Sequence, residues 1–150
     1  MIARDAQGVC AVGTTNFDTV AAALVGNLTG NVTGNVNGVV TGGVTPATIA
    51  DPGNAGAIPV TASGRVAIVT AGAETRTLAA PSIIGQRLLV YMKTDGGDAV
   101  ITSANAINAT GNNTITMNDA GDAIELVAIE NGSNKRWVVA FNSGCTLSTV

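Results

Sequence analysis

Two short segments in the second half of the chain place carboxylates next to glycines, and these are the residues best suited to bind a metal. T-D-G-G-D-A-V at 94–100 resembles N-D-A-G-D-A-I at 118–124. Hard cations such as calcium prefer several carboxylate and carbonyl oxygens, so each segment is a candidate calcium loop. Each loop offers only two carboxylates, however, and Asp/Gly turns that lead into strands give the same pattern. We therefore interpret both segments as turns and predict no bound metal.

Catalytic chemistry is restricted by the absence of histidine from all 150 residues. Without histidine, most general acid–base schemes, serine and cysteine triads and most zinc sites are excluded. The sequence also lacks the nucleophile-elbow and phosphate-loop motifs. Glu125 and Glu130 form a carboxylate pair, but residues five apart on a strand face opposite sides and do not flank one substrate. We expect a protein that is not an enzyme and that needs no cofactor.

Composition restricts the partners of the chain. Its net charge is −3, only 11% of its residues are charged, and it has no basic cluster, so nucleic acid is not an expected partner. The longest apolar candidate, at 20–25, is too short to span a bilayer, and no signal peptide is recognisable. Cys10 and Cys145 stand far apart without a framework spacing, which favours free thiols. The length suits one domain with a modest appendage.

The most regular element is a tetrapeptide repeat from Gly26 to Gly42, which reads G-N-L-T, G-N-V-T, G-N-V-N, G-V-V-T, G. Collagen requires glycine at every third position, and a helix would lose about 1 kcal/mol at each glycine. In a strand, by contrast, the even positions form one face that alternates aliphatic residues with glycine. The odd positions then carry mostly Asn and Thr on the other face. We predict an extended strand.

This repeat cannot order itself alone. Fixing its backbone costs on the order of 25 kcal/mol, whereas burying its five aliphatic side chains returns roughly 10 kcal/mol. A face of alternating valine and glycine suits identical chains that converge on an axis, which leads to the hypothesis of a homotrimer. A flexible linker is the other interpretation of the segment. The predicted seam between subunits, or between subunit and capsid, comprises Leu28, Gly30, Val32, Gly34, Val36, Gly38 and Val40.

The rest of the chain divides into segments by composition. Residues 1–25 are predicted to be an N-terminal arm, 26–44 the repeat strand, 45–56 a proline- and glycine-rich linker, and 57–150 the body. Short apolar segments between turn residues predict an all-β body, a sandwich or barrel of jelly-roll-like type. The expected strands are 58–62, 65–70, 87–93, 99–103, 113–117, 123–129 and 136–141.

Two continuous apolar runs within the body lead to a further expectation. Residues 88–92 and 137–141 contain almost no polar side chain, which predicts strands buried on both faces. A contact between subunits is one way in which the second face would be buried. The few aromatic residues of the body, Trp137 and Phe141 above all, are expected to pack in the core.

Two parts of the sequence resemble bacteriophage proteins. The G-N-[LV]-T repeat is similar to runs in structural proteins of tailed bacteriophages, including fibre shafts and head-associated trimers. T-A-G-A-E-T-R-T-L at 70–78, with G-Q-R-L at 85–88 and T-D-G-G-D at 94–98, resembles a β-domain of small virion proteins. The resemblance implies a capsid decoration, or cement, protein. Such a protein assembles in the bacterial host cytoplasm, binds the major capsid protein on the virion exterior as a homotrimer, and has no catalytic residues.

The resemblance leaves two further functions open. A receptor-binding tail fibre, spike or head-fibre appendage would use the repeat as a shaft and the body as a tip. The repeat extends over at most roughly 50 Å as a strand, which is short for a fibre. A fragment of a bacterial surface adhesin is the other candidate, and the lack of a recognisable signal peptide argues against it.

Overall fold

The computed structural model describes residues 45–150, which form two five-stranded mixed β-sheets and contain no helix. The predicted all-β class is therefore confirmed for this part of the chain. The first sheet has the strand order β1-β3-β5-β8-β9 and the second β10-β7-β6-β4-β2, and neither closes into a barrel. The strands are β1 Ala47–Ile49, β2 Gly56–Ile58, β3 Gly64–Val69, β4 Glu74–Leu78, β5 Arg87–Thr94, β6 Ala99–Ser103, β7 Thr114–Met117, β8 Ala123–Asn131, β9 Asn134–Ser143 and β10 Thr146–Ser148.

The chain alternates between the two sheets through its first six strands. As a result β1, β3 and β5 pair in parallel in the first sheet, and β2, β4 and β6 pair in parallel in the second. The last four strands add only antiparallel pairs. A jelly roll is built from antiparallel strands. The jelly-roll-like arrangement expected from the sequence therefore does not describe the first half of the body.

The core lies between the two sheets, because alternate side chains of each strand point inward. Strand β5 shows the pattern clearly, with Leu88, Val90 and Met92 almost fully buried. Trp137 is the largest buried side chain, and its indole Nε1 donates a hydrogen bond to the Ala79 carbonyl at 2.8 Å. The other buried apolar side chains are Ile58, Val66, Ile68, Leu78, Ala99, Ile101, Ile107, Ile115, Met117, Ile124, Leu126, Ala128 and Cys145.

Several strand boundaries differ from the sequence-based expectation. The strand expected at 58–62 is instead β2, which ends at Ile58 because Pro59 cannot donate a ladder hydrogen bond. Strand β4 was not predicted at all, since its sequence E-T-R-T-L has one apolar residue and its central arginine is buried. Strands β1 and β10 have three residues each, too few to show a pattern. Strand β1 lies within the segment assigned to the linker.

Within residues 45–150 of a single chain, the two apolar runs are buried on one face only, so burial of their second face by a subunit contact stays a prediction. Burial alternates along β5, and Leu89 is 36% exposed between two buried neighbours. In β9, Trp137 is buried but Phe141 is 53% exposed, so Phe141 is not a core residue. The physical reason is that each sheet covers only one face of the other. Among residues 45–150, no third layer covers the apolar side chains on the outward face of the first sheet.

The two Asp/Gly segments are turns that lead into strands, as predicted. The Asp95 carboxylate accepts a hydrogen bond from Gly97 N at 2.9 Å, and β6 begins directly afterwards. In the second turn, the Asp122 carboxylate accepts bonds from the backbone of residues 118 and 119 at 2.8 and 3.2 Å. Gly97 has φ of +150°, and a Cβ there would lie 2.5 Å from the carbonyl carbon of Gly72, so glycine is required. Within residues 45–150, no group of three or more ligating side chains is placed to hold a metal ion.

Candidate interaction surface

The seam residues predicted from the repeat lie outside the described residues. This applies to Leu28, Gly30, Val32, Gly34, Val36, Gly38 and Val40, and equally to the arm at 1–25. The candidate surface is therefore built from the body alone.

The outward side of the first sheet carries an apolar surface, which we call the apolar face. Strand pairing places Leu89, Glu125 and Phe141 in one row across β5, β8 and β9. Val127 and Val138 form a neighbouring pair, and both are partly exposed. Tyr91 lies on the same side of β5 and is also partly exposed. Exposed apolar patches that exceed scattered single residues are typical of interaction sites.

Positive charge accompanies the apolar residues of this face. Alternation along the strands directs Arg65 of β3, Arg87 of β5 and Arg136 of β9 outward on the same side. Glu125 is the only carboxylate of β3, β5, β8 and β9 that the same alternation places among them. The apolar face therefore combines three guanidinium groups with one carboxylate, although the whole chain has a net charge of −3.

A groove of about 380 Å³ lies where the apolar face meets β1. Pro46, Ala47 and Leu89 provide apolar lining, and Arg65 lies at its side. A Cβ at Gly64 would come within 2.5 Å of the Ala47 carbonyl oxygen, so glycine is needed where β1 approaches β3. The remaining lining residues are Thr45, Ser63, Arg87 and Glu125.

Arg87 and Glu125 form an ion pair in the wall of this groove. The Arg87 Nε and Nη2 atoms lie 2.9 and 2.8 Å from Glu125 Oε1. The hydrogen bond from the pair raises the pKa of Arg87 above its usual value. The arginine side chain is 60% exposed and the glutamate 27% exposed, so both remain accessible to a partner.

The outward side of the second sheet has a different chemistry, and we call it the hydroxyl face. One row across four strands consists of Thr75, Val100, Thr116 and Thr146. In the neighbouring row, Thr77 pairs with residue 102. These residues are uncharged, and most are threonine. The apolar face and the hydroxyl face therefore offer partners two contrasting surfaces.

A buried arginine lies at one end of the sandwich. The side chain of Arg76 is fully buried, and its Nε and Nη2 atoms donate to the Asp51 carboxylate at 2.8 and 3.1 Å. Nη2 also lies 2.8 Å from Glu74 Oε2 and donates to the Val69 carbonyl at 3.3 Å. Nη1 donates to the carbonyl of residue 75. This cluster ties the segment before β2 to β3 and β4.

Both carboxylates of the cluster are held in the ionised form. Burial disfavours the charge on Asp51, but hydrogen bonds from Arg76 and from the backbone of Val69 and Gly53 outweigh that cost and lower its pKa. The backbone of Ala71, followed by Arg76, lowers the pKa of Glu74. Since all of these groups are engaged with one another, the cluster is suited to holding the fold together rather than to reacting with a ligand.

Cys145 is poorly suited to nucleophilic chemistry. Its side chain is 8% exposed, and burial followed by the charge of Asp122 raises the pKa of the thiol to about 11. A thiol with such a pKa is almost entirely protonated at neutral pH and therefore unreactive. Cys10 lies outside the described residues.

Comparison with known proteins adds no assignment. No model of a known protein family matches the chain, and no curated protein sequence matches it. None of the described residues forms a helix long and apolar enough to cross a membrane. Sequence reasoning missed the apolar face, although the alternation of arginine and aliphatic residues in R-L-L-V-Y-M-K at 87–93 contains its signal.

Proposed function

We propose that this protein is a capsid decoration, or cement, protein of a tailed bacteriophage. It binds the outer surface of the head as a homotrimer and stabilises the shell against the pressure of the packaged DNA. The residues that carry the resemblance at 70–78, 85–88 and 94–98 all belong to the sandwich. The apolar face supports a binding role most directly, because Leu89 and Phe141 are exposed there. The lack of histidine in the chain supports binding rather than catalysis.

The proposed mechanism is stabilisation by mass action. A protein that binds the assembled shell and not the separated capsid subunits lowers the free energy of the shell by an amount that grows with its concentration. Each bound copy lowers the free energy of the shell by a small amount, and the contributions of all bound copies add up. The partners under this proposal are the major capsid protein and further copies of the chain, with no nucleic acid, membrane or cofactor involved.

Binding to empty sites on heads tests this function. Heads produced without the protein are mixed with the purified full chain, and the bound amount is measured on a stained gel against the major capsid protein. We expect many copies per head, in a fixed ratio, and release of DNA at a higher temperature than from bare heads. A few copies per virion would favour the fibre or spike function instead. Heads that bind none would contradict the proposal.

The repeat is proposed to hold the trimer together through its glycine and valine seam. Gly34→Val places a bulky side chain where neighbouring backbones are expected to approach, so we expect the trimer fraction to fall in light scattering after size exclusion. Asn35→Val is the control, because it places the same valine side chain on the opposite side of the predicted strand. Equal trimer recovery in both variants would show that the seam does not lie at Gly34.

A further inference from the structure

The apolar face is exposed, carries positive charge and is unpaired within the described part of the chain. Val69, Leu89 and Phe141 are 46%, 36% and 53% exposed, and Leu89 and Phe141 belong to the same row of the sheet. The hydroxyl face of the same sandwich shows that this sequence can cover a sheet with threonine. The aliphatic and aromatic side chains of the first sheet are thus a specific feature of one side of the molecule.

The charge of the apolar face limits what can cover it. Arg65, Arg87 and Arg136 outnumber Glu125 on this face, so stacking two identical faces would set one net positive surface against another. Like charges placed together across an interface are unfavourable. A different surface that carries negative charge is therefore the more favourable partner for the apolar face.

One end of the sandwich has these properties, and we call it the acidic end. It consists of the connections 70–73, 94–98 and 118–122. The first two are joined by the hydrogen bond from Thr70 Oγ1 to the Gly97 carbonyl at 2.6 Å. The third contacts the end of β5, where Met92 N donates to the Asp122 carbonyl at 2.8 Å.

The side chains of the acidic end complement those of the apolar face. Asp95, Asp98 and Asp119 are exposed, and the sequence of the three connections contains no lysine or arginine. Lys93 is the cation next to them in the chain. The other residues of the acidic end are mostly alanine and glycine, so no bulky side chain prevents its backbone from approaching a flat sheet.

We propose that the apolar face is a docking surface for a second copy of this chain, which contacts it through its acidic end. Carboxylates of one copy then lie near the guanidinium groups of the next, and Leu89 and Phe141 pack against the alanine and glycine backbone. Such a contact joins two different surfaces. It therefore builds either a closed ring or an open filament. The closed ring of three is the form that agrees with the proposed homotrimer, but the contact itself does not depend on capsid binding.

The first test replaces the apolar side chain at the centre of the predicted contact. We expect Phe141→Asp to weaken self-association of the full chain about 30-fold, which corresponds to the loss of roughly 2 kcal/mol at a central interface residue. Thr77→Asp introduces the same charge at an exposed position of the hydroxyl face and should leave association unchanged. Both are measured by sedimentation velocity over a concentration series, with circular dichroism as the check on folding.

The second test exchanges the charges. Arg65→Glu alone and the pair Asp98→Lys with Asp119→Lys are each expected to weaken association, because each sets like charges against one another. A chain that carries all three substitutions should regain much of the association. Raising the salt concentration from about 0.01 M to about 1 M should weaken the parent complex, because the Debye length falls from about 30 Å to about 3 Å.

Three results would overturn this contact. One is a parent chain that remains a monomer at every concentration. Another is a Phe141→Asp variant that associates as well as the parent. The third is a Phe141→Asp variant that dissociates while the charge exchange has no effect, since a surface of the second copy other than the acidic end then covers the face. The amount bound to phage heads is measured separately, so loss of self-association and loss of capsid binding are distinguished.

Discussion

Arg76 and Arg87 make similar contacts in very different surroundings. Each approaches a carboxylate to 2.8 Å, Arg76 with Asp51 and Arg87 with Glu125. The Arg76 side chain is fully buried, whereas that of Arg87 is 60% exposed. Arg76 also donates to two backbone carbonyls, while Arg87 has Glu125 as its partner within residues 45–150.

The difference separates a charge that holds the fold from a charge that is available for binding. A guanidinium buried at the end of the sandwich is stable only because every one of its partners is in place, so its removal leaves two carboxylates without a counter-charge. In an exposed ion pair, water can replace either charged partner at little cost in free energy. We therefore expect substitutions at Arg76 to change the stability of the body and substitutions at Arg87 to change its contacts.

The largest effect is expected from Arg76→Ala. The substitution leaves Asp51 and Glu74 facing each other, and their side chains are only 13% and 15% exposed. We expect the free energy of unfolding to fall by about 3 kcal/mol, the lower end of the range for breaking a buried pair, because both carboxylates still reach solvent. Urea denaturation followed by tryptophan fluorescence measures this change.

The variant Arg76→Lys separates the effect of the positive charge from that of the hydrogen bonds. Lysine keeps the positive charge but cannot reach two carboxylates and two carbonyls with a planar fork of donors. The free energy of unfolding of Arg76→Lys should therefore lie between that of the parent and that of Arg76→Ala. If Arg76→Ala unfolds at the same urea concentration as the parent, the cluster does not stabilise the body.

A smaller effect is expected from pH. The pKa values of Asp51 and Glu74 are lower in the folded protein than in the unfolded chain, where such groups titrate near about pH 4. Their contribution to stability is therefore complete above that pH and is lost as the pH falls through the lower folded values. We expect Asp51→Asn to be less stable than the parent at pH 7 but to lose less stability between about pH 5 and about pH 3. If the free energy of unfolding depended on pH in the same way in both proteins, this assignment would be contradicted.

The sequence predicts the strands that follow the alternation of apolar and polar residues. Six of the seven expected segments overlap β3, β5, β6, β7, β8 and β9 over most of their length. The seventh overlaps β2 only at Ile58. Strand β4 escapes prediction because Arg76 occupies an inward position, and an arginine is buried only when carboxylates distant in sequence surround it. Asp51 is separated from Arg76 by twenty-five positions, and no local pattern connects them.

The interaction surface is only partly accessible to local reasoning, which detects the alternation at 87–93 but not the neighbours of that strand. The sequence directs attention to the repeat at 26–44, which lies outside the described residues. The apolar face depends on pairing among β5, β8 and β9, which places Leu89 opposite Glu125 and Glu125 opposite Phe141. Continuous apolar runs suggest burial on both faces, whereas the two layers formed by residues 45–150 bury only one face of each run.

The smallest effect on stability is expected from Arg87→Ala, and this variant completes the comparison. Because the pair with Glu125 is exposed, its loss should leave the thermal unfolding midpoint unchanged within the error of a melt. The same substitution removes one of three guanidinium groups from the apolar face, so self-association at low salt should weaken by a few-fold and the difference should vanish at high salt. A clear fall in the melting temperature would show that Arg87, like Arg76, supports the fold. An unchanged melt with weaker association would place the two arginines in the separate roles that their burial implies.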